Sequence, residues 1–315
     1  MPVLTLRCHL LVLLFFVATA AGAEPLRFFA IGDLPYAGGE VDGLRQLLAD
    51  AAAERSTFIV HVGDIKGGSQ PCTDARIRSV ADLFRALPVP VLYTPGDNEW
   101  TDCHRAGAGR HDPLERLATL RRVFYADPAV LHNTALNLVH PDAAYPELVY
   151  FFEHRVLFVL LHVVGSNNNY RPGDAGAMAE FQVRSAANRL LLERAVKAAK
   201  EGEARAMVLI FHANPLFDET GARRGFVPLK QDLRRLLAAY PGPVLLIHGD
   251  THRFRFDRPL TEPDSGRAIA RLQRLEVPGS PLVAGVRVRI DPDAAKPFDV
   301  KVVYPSGFDA MRSDL

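Results

Sequence analysis

The 315-residue sequence predicts an α/β fold, and three observations carry that expectation. Near-continuous apolar runs rich in Val, Ile, Leu and Phe recur along the chain, as strands covered on both faces require. Helical patterns alternate with them, which argues for a sheet layered with helices. Two further segment pairs read as hairpins, adding antiparallel strands to a parallel core, so a mixed sheet or two sheets face to face is expected. No internal repeat, low-complexity segment or linker divides the chain.

The first element in order is a leader. Arg7 precedes the apolar run Leu10 to Val17, and small Ala21-Gly22-Ala23 follows just before Glu24 and Pro25. A basic start, a short apolar core and an A-x-A ending make a cleaved secretory signal. The alternative is an uncleaved anchor, for which the run is short. Residues 1–23 are therefore expected to leave, and residues 24–315 to form one mature domain, periplasmic or secreted. Nothing later is apolar enough to span a bilayer, so no membrane partner is expected after cleavage. The formal charge of +1 falls to neutral when Arg7 leaves. No basic stripe points to nucleic acid, and the oligomeric state stays open. Cys8 leaves with the leader, so the mature chain keeps Cys72 and Cys103. In an oxidising compartment such a pair is expected to bond, worth roughly 3 to 4 kcal/mol in the chain-entropy model; two unrelated thiols are the alternative.

The strands follow. Leu26 to Ile31 runs into Gly32-Asp33, Thr57 to Val62 into Gly63-Asp64, and Pro90 to Thr94 into Gly96-Asp97. Ala206 to Phe211 ends at His212, and Pro243 to Ile247 at His248-Gly249-Asp250, with His252 just beyond. Helices are expected over Val41 to Glu54, Ile77 to Ala86 and Gly176 to Lys200, the last burying Leu190, Leu191, Ala195 and Val196. The hairpins pair Leu148 to Phe152 with Val156 to Val163, and Val286 to Ile290 with Asp299 to Tyr304.

Ligands in open α/β sheets bind beyond the carboxyl ends of the strands. One Gly-Asp at a strand end is an ordinary turn or helix cap. Five strand ends that each place Asp or His at one edge are different, because clustered carboxylates repel unless cations neutralise them. A metal cluster is the economical reading.

In order and spacing these motifs resemble the calcineurin-like metallophosphoesterases, a superfamily that includes the purple acid phosphatases. That family reads D-x-H, G-D, G-N-H-[D/E], a lone His, then G-H-x-H. This chain reads Asp33-Leu34-Pro35, Gly63-Asp64, Gly96-Asp97-Asn98-Glu99, His212 and Gly249-Asp250-Thr251-His252. The resemblance implies a four-layer αββα sandwich of two mixed sheets, and a dinuclear hydrolytic site acting on a small phosphorylated substrate. It also implies the ligands: Asp64 bridging both ions, Asp33 and His252 on the first, Asp97, His212 and Asp250 on the second. Two such cations would bind phosphoryl oxygens and lower the pKa of an attacking water.

Departures from the pattern shape the expectation. Pro35 removes a His donor, Asp97 replaces Asn, and Asp250 replaces His. The ions could be Mn, Mg, Fe or Zn, and this oxygen-rich set favours the harder Mn²⁺ or Mg²⁺ over a zinc pair. Tyr36 could ligate Fe(III) as a phenolate or be a packed loop aromatic; in purple acid phosphatases the ligand Tyr stands where this chain has Gly67. Asn98 occupies the place of a His that contacts phosphate and helps protonate the leaving group, which Asn cannot do near neutral pH. His104 and Glu99 are the nearest replacements in sequence. His61 and His248 read as supporting or core histidines. The polar loop Gly165 to Asn169 after His162 could line a substrate pocket, or be a plain turn. The leading expectation is an exported phosphoester hydrolase; the alternative is a non-catalytic binding protein that keeps fold and metals. A serine hydrolase is disfavoured, since no G-x-S-x-G elbow is present.

Overall fold

The structure, a computed structural model, describes residues 24–217, 223–262 and 264–307. The expected leader, residues 1–23, lies outside them. The strands are β1 (Leu26–Ile31), β2 (Ile59–His61), β3 (Val91–Tyr93), β4 (Val149–Glu153), β5 (Val156–Leu160) and β6 (Ala206–Ile210). After them come β7 (Val244–His248), β8 (Arg255–Asp257), β9 (Leu272–Glu276), β10 (Gly285–Ile290) and β11 (Phe298–Val303). The main helices are α1 (Glu40–Ala53), α2 (Asp74–Arg85), α3 (Pro113–Leu120), α4 (Ala175–Glu201) and α5 (Val227–Ala239).

Two mixed sheets result. One has the order β11-β10-β1-β2-β3, the other β4-β5-β6-β7-β9-β8. β1, β2 and β3 run parallel, as do β5, β6, β7 and β9. Both expected hairpins form, β4 with β5 and β10 with β11, each antiparallel.

Side-chain alternation assigns the layers. Phe28 and Ala30 of β1 point inward and join Phe58, Phe151, Phe158, Val208 and Ile210 in the core between the sheets. Phe29 and Ile31 point the other way, onto Leu44, Leu47 and Leu48 of α1. On the second sheet, Leu157, Val159 and Leu209 meet Leu191, Leu192 and Ala195 of α4, with Leu229, Leu233 and Leu236 of α5. The order helix, sheet, sheet, helix is the expected αββα sandwich. One expectation needs correction: Leu190 is 42% exposed, while Leu192 is buried at 3%. Consecutive leucines leave the phase of the stripe open, and the sheet selects the phase containing Leu191, Ala195 and Ala199. No helix among the described residues is long and apolar enough to cross a membrane.

Candidate metal centre

The parallel strands of both sheets end at one edge, and their loops are held in a conformation few residues accept. Asp33, Asp64, Asp250 and His252 all have left-handed backbones, with φ of 56°, 55°, 79° and 58°. Asp tolerates this region better than most side chains, and such strain gathers where function requires it. Gly63 sits at φ 98°, and a Cβ there would lie 2.4 Å from the backbone nitrogen of Gly96. The loops after β2 and β3 therefore touch backbone to backbone. Glu99 ties them further: its Oε1 accepts from the backbone N–H of Asp64 (3.1 Å), that of Gly96 (2.6 Å) and the Tyr93 hydroxyl (2.8 Å). This is a structural role, in the buried interior. The Cys72–Cys103 disulfide, Cα atoms 5.8 Å apart, staples the same two loops, as the sequence led one to expect.

Six side chains converge on this edge. His212 Nδ1 lies 2.9 Å from the carbonyl of Val62, so it must donate there. That turns Nε2 toward Asp97 Oδ1 at 3.0 Å and Asp64 Oδ1 at 3.4 Å. His252 repeats the arrangement, with Nδ1 2.7 Å from the carbonyl of Ser280 and Nε2 3.5 Å from Asp33 Oδ1. A histidine anchored by one nitrogen on a carbonyl, with the other facing carboxylates, has the outer support that metal-ligating imidazoles carry. Asp64 divides its oxygens between the two halves. Oδ1 lies on the His212 side, and Oδ2 accepts from the Tyr36 hydroxyl at 2.9 Å. Donor atoms of Asp33, Asp64 and His212 lie within 4.8 Å of one another, and so do those of Asp97, His212 and Asp250.

The electrostatics without cations are unfavourable. Burial, with Asp250 and Asp97 adding to it, raises the Asp33 carboxyl to about 8, against the pull of His212. Burial also drives Asp64 well above the ordinary range, and lifts Asp250 to about 6 with help from Asp97. Asp97 moves the opposite way: burial opposes ionisation, but hydrogen bonds from His212 and Ser166 hold the carboxyl low. His212 itself is raised despite burial, by the charge of Asp64 and its bond to Asp97. Three buried carboxylates and the part-buried Asp250 around a single protonated imidazole make a site short of positive charge, which bound cations would supply. The residues present fit a pair of cations.

Around these groups opens a cleft of about 660 Å³, lined among others by Tyr36, Asn98, Arg105, Ser166, Arg223 and Asp250. Asn98 stands at its floor, donating from Nδ2 to Asp64 Oδ2 and to the Tyr36 oxygen at 3.0 Å. His104 is not brought in. Its Nδ1 meets the carbonyl of Thr101 at 2.6 Å, it packs beside Arg171, and it does not line the cleft. His61 and His248 are fully buried, with pKa values pushed down by burial to about 4 and about 3. His61 bridges the first two motif loops: Nδ1 accepts from Gly63 N–H and Nε2 meets the carbonyl of Leu34.

The polar loop after β5 is neither open nor ordinary. Ser166, Asn167, Asn168 and Asn169 all have positive φ, from 48° to 59°, making one left-handed turn. Gly165 starts it, and a Cβ there would lie 2.4 Å from Asp97 Oδ1 and 2.7 Å from Asp250 Oδ1. Ser166 Oγ donates to Asp97 Oδ2 at 2.7 Å. The turn is pinned from behind by Arg184 of α4, whose guanidinium reaches Asn168 Oδ1 (2.6 Å), the Asn168 carbonyl (3.1 Å) and the His162 carbonyl (2.9 Å). The Asn run signals left-handed tolerance in the sequence; the role of Arg184 had no sequence signal.

With this geometry in place, the sequence profile of the calcineurin-like phosphoesterases matches residues 26–254. The chain belongs to that family. Its fold is similar to that of several solved structures. PhoD is 13% identical, with a TM-score of 0.57 over 86% of this chain and 65% of its own. GAP50, the anchor in the inner membrane complex of Plasmodium, is 12% identical, with a TM-score of 0.55 over 90% and 85%. A dimetal phosphatase from Danio rerio is 14% identical, with a TM-score of 0.54 over 90% of this chain and 100% of its own. These likenesses speak for the fold alone. No curated protein sequence matches the chain.

Proposed function

We propose that the mature chain, residues 24–315, is an exported single-domain hydrolase of phosphoester bonds that works with two metal ions. The carrying observation is the pair of histidines, each tied through Nδ1 to a backbone carbonyl and turned through Nε2 into carboxylates, His212 toward Asp97 and Asp64 and His252 toward Asp33. Asp64 would bridge the ions, with Asp33 and His252 on one and Asp97, His212 and Asp250 on the other. When bound, two such ions supply Lewis acidity toward a phosphoryl oxygen and acidify a water at neutral pH.

The chain's own groups do the rest. Ser166 and Asn168–Arg184 hold Asp97 in place. The Asn98 amide, at the cleft floor, would donate to phosphate by giving up its bond to Asp64 or to the Tyr36 oxygen, and it carries no proton it can release near pH 7. His104 could protonate a leaving group only after turning from Thr101 into the cleft. The arrangement therefore favours substrates whose leaving group needs no proton, such as activated aryl phosphates. Arg105 and Arg223 on the cleft wall suit the remaining negative charge of a small phosphorylated substrate. Export is supported by the leader-like N-terminus and by the single mature cysteine pair, bonded beside the site.

The test is to purify the mature chain, measure its bound metal, and assay an aryl phosphate with Mn²⁺ added. Asp64→Asn should abolish both paired metal binding and turnover. Activity surviving that change would mean that Asp64 is not the bridging group. Asn98 and Pro35 support a second reading, a binding protein; two equivalents of metal with no turnover would establish it in place of the enzyme.

A further inference from the structure

We propose that Glu40 and the Gly279-Ser280 loop form a clamp that positions the ligands of the first cation and leaves the second cation's ligands to other supports. The proposal rests on the two-ion reading above and assigns its framework to this chain's own residues. Gly279 and Ser280 lie beyond the span that the family profile matches, which ends at residue 254. With Pro35 in the place of a histidine, the first ion has the side chains of Asp33, Asp64 and His252, and His252 is its one nitrogen donor. The His252 side chain is 29% exposed, so burial alone does not fix the direction of its ring.

Ser280 supplies that direction through three contacts. Its carbonyl accepts from His252 Nδ1 at 2.7 Å, its N–H donates to the Asp33 carbonyl at 3.0 Å, and its hydroxyl donates to Glu40 Oε1 at 2.6 Å. The residue before it has to be glycine for want of room. A Cβ on Gly279 would lie 2.4 Å from Asp33 Cβ and 3.2 Å from His252 Cγ, so the loop is pressed against both ligands. Glu40 fastens this loop to the start of α1. Its second oxygen, Oε2, accepts from Tyr36 N–H at 2.6 Å, in the loop that follows Asp33. A buried carboxylate loses hydration that only hydrogen bonds replace, and both Glu40 oxygens have a donor.

The same loop packs on α1 further along, where a Cβ on Gly43 would come within 3.2 Å of Val283 Cγ1. The clamp therefore joins α1, the loop after β1 and the loop before β10 around one half of the site. None of the contacts of Glu40, Gly279 and Ser280 named above is to Asp97, His212 or Asp250. That half is held instead by Ser166 and by the bond from His212 Nδ1 to the Val62 carbonyl. Glu40 and Ser280 are thus positioning residues for one cation of the pair, acting through His252 and Asp33. Partners that orient a ligating group in this way matter to affinity nearly as much as the ligand does.

The test titrates metal-depleted mature protein with Mn²⁺, reading affinities by calorimetry and the ion pair by its spin coupling in electron paramagnetic resonance. Wild type should take up two ions and show a coupled pair. Ser280→Ala and Glu40→Ala should each weaken one ion by about tenfold or more, leaving the other ion tightly bound and uncoupled. The double variant should weaken that ion no further than Glu40→Ala alone, because the hydroxyl acts through the carboxylate. In the metal-free protein, the His252 Nδ1 proton should lose its protection from exchange in both single variants, as read by NMR. If Glu40→Ala does not fold, Ser280→Ala, which removes a single hydroxyl, carries the test. Unchanged affinity in Ser280→Ala, equal weakening of both ions, or losses that add in full in the double variant would overturn the clamp and leave the dinuclear reading standing. Wild type that takes up no ion would overturn the metal reading and the clamp with it.

Discussion

Replacing Arg184 by leucine tests whether the left-handed turn at the site is held from α4. The Arg184 side chain is fully buried, and its partner Glu180 is 12% exposed. The guanidinium makes two bonds to Glu180, at 2.5 and 3.1 Å, besides those to Asn168 and the His162 carbonyl, and lies 5.4 Å over the Trp100 ring. Arg184→Leu keeps apolar volume but leaves the nearly buried Glu180 carboxylate without its cation and the Asn168 carbonyl without its donor, while Glu180, the Asn168 amide oxygen and the His162 carbonyl keep bonds from Asn169, Val164 N–H and Asn188. Breaking a buried pair from one side costs about 3 to 5 kcal/mol. Urea denaturation of the metal-free protein should register that loss. The double variant Arg184→Leu with Glu180→Leu should recover part of it, because no unpaired charge remains. Strain also enters: Ser166, left-handed at the head of the turn, sits about 1 kcal/mol or more above a relaxed backbone and loses its support, while the three asparagines tolerate that region. The turn should relax, take Ser166 from Asp97, and weaken metal retention at the Asp97, His212 and Asp250 group. A loss below about 1 kcal/mol, or a double variant no more stable than the single one, would refute the reasoning.

Three further outcomes are expected. Gly165→Ala, whose methyl would press on Asp97 and Asp250, should cut paired metal binding, read by elemental analysis, while circular dichroism shows the fold retained; unchanged stoichiometry would mean the turn yields freely. Cys72→Ser with Cys103→Ser should lower stability by about 3 to 4 kcal/mol and weaken metal binding, since the bond joins the loops of Asp64 and Asp97; equal metal affinity would confine the disulfide to stability. Glu147 meets His162 at 2.8 Å and Arg121 across a buried contact; burial would raise its carboxyl, yet these partners hold it at about 2, below its ordinary 4.5. Its stabilising contribution is therefore complete above about pH 4.5 and is lost as pH falls toward 2. Glu147→Gln should flatten the acid limb of a urea-midpoint profile over that window, and a limb of unchanged steepness would count against it.

Much of the frame was legible because strand ends announce themselves. Apolar runs halted by Gly-Asp marked β1, β2 and β3, and the same edge then received His212, Asp250 and His252. What stayed hidden depended on buried charge or distant contacts. β9 carries Arg274 and Glu276 inside a buried strand, where Asp257 pairs with Arg274 and the Thr251 hydroxyl donates to one Glu276 oxygen, so its polarity masked a core element. α5 has apolar residues at Leu229, Leu233, Leu236 and Leu237 with Pro228 in its first turn, a readable pattern that was overshadowed by the loop before it. Asn98 stands where the motif placed it. His104 does not join the cleft, because the short turn after Asn98 aims its ring at Thr101. The convergence of Tyr36, Glu40 and Ser280 spans more than 200 residues of sequence, and no local pattern encodes it.

The left-handed backbone at Asp33, Asp64 and Asp250 also determines how this site can be lost. Most side chains would be strained at those φ values, but Asn and Gly are at ease there. Asn is also the same size and shape as Asp. A change from Asp to Asn therefore removes a metal-binding charge while the loop, the sheet above it and the disulfide beside it stay as they were. Mutational drift toward a metal-free descendant would be silent in folding and expression. Conserved shape in a relative of this chain is then no evidence of retained chemistry, and the identity of three residues is what has to be read.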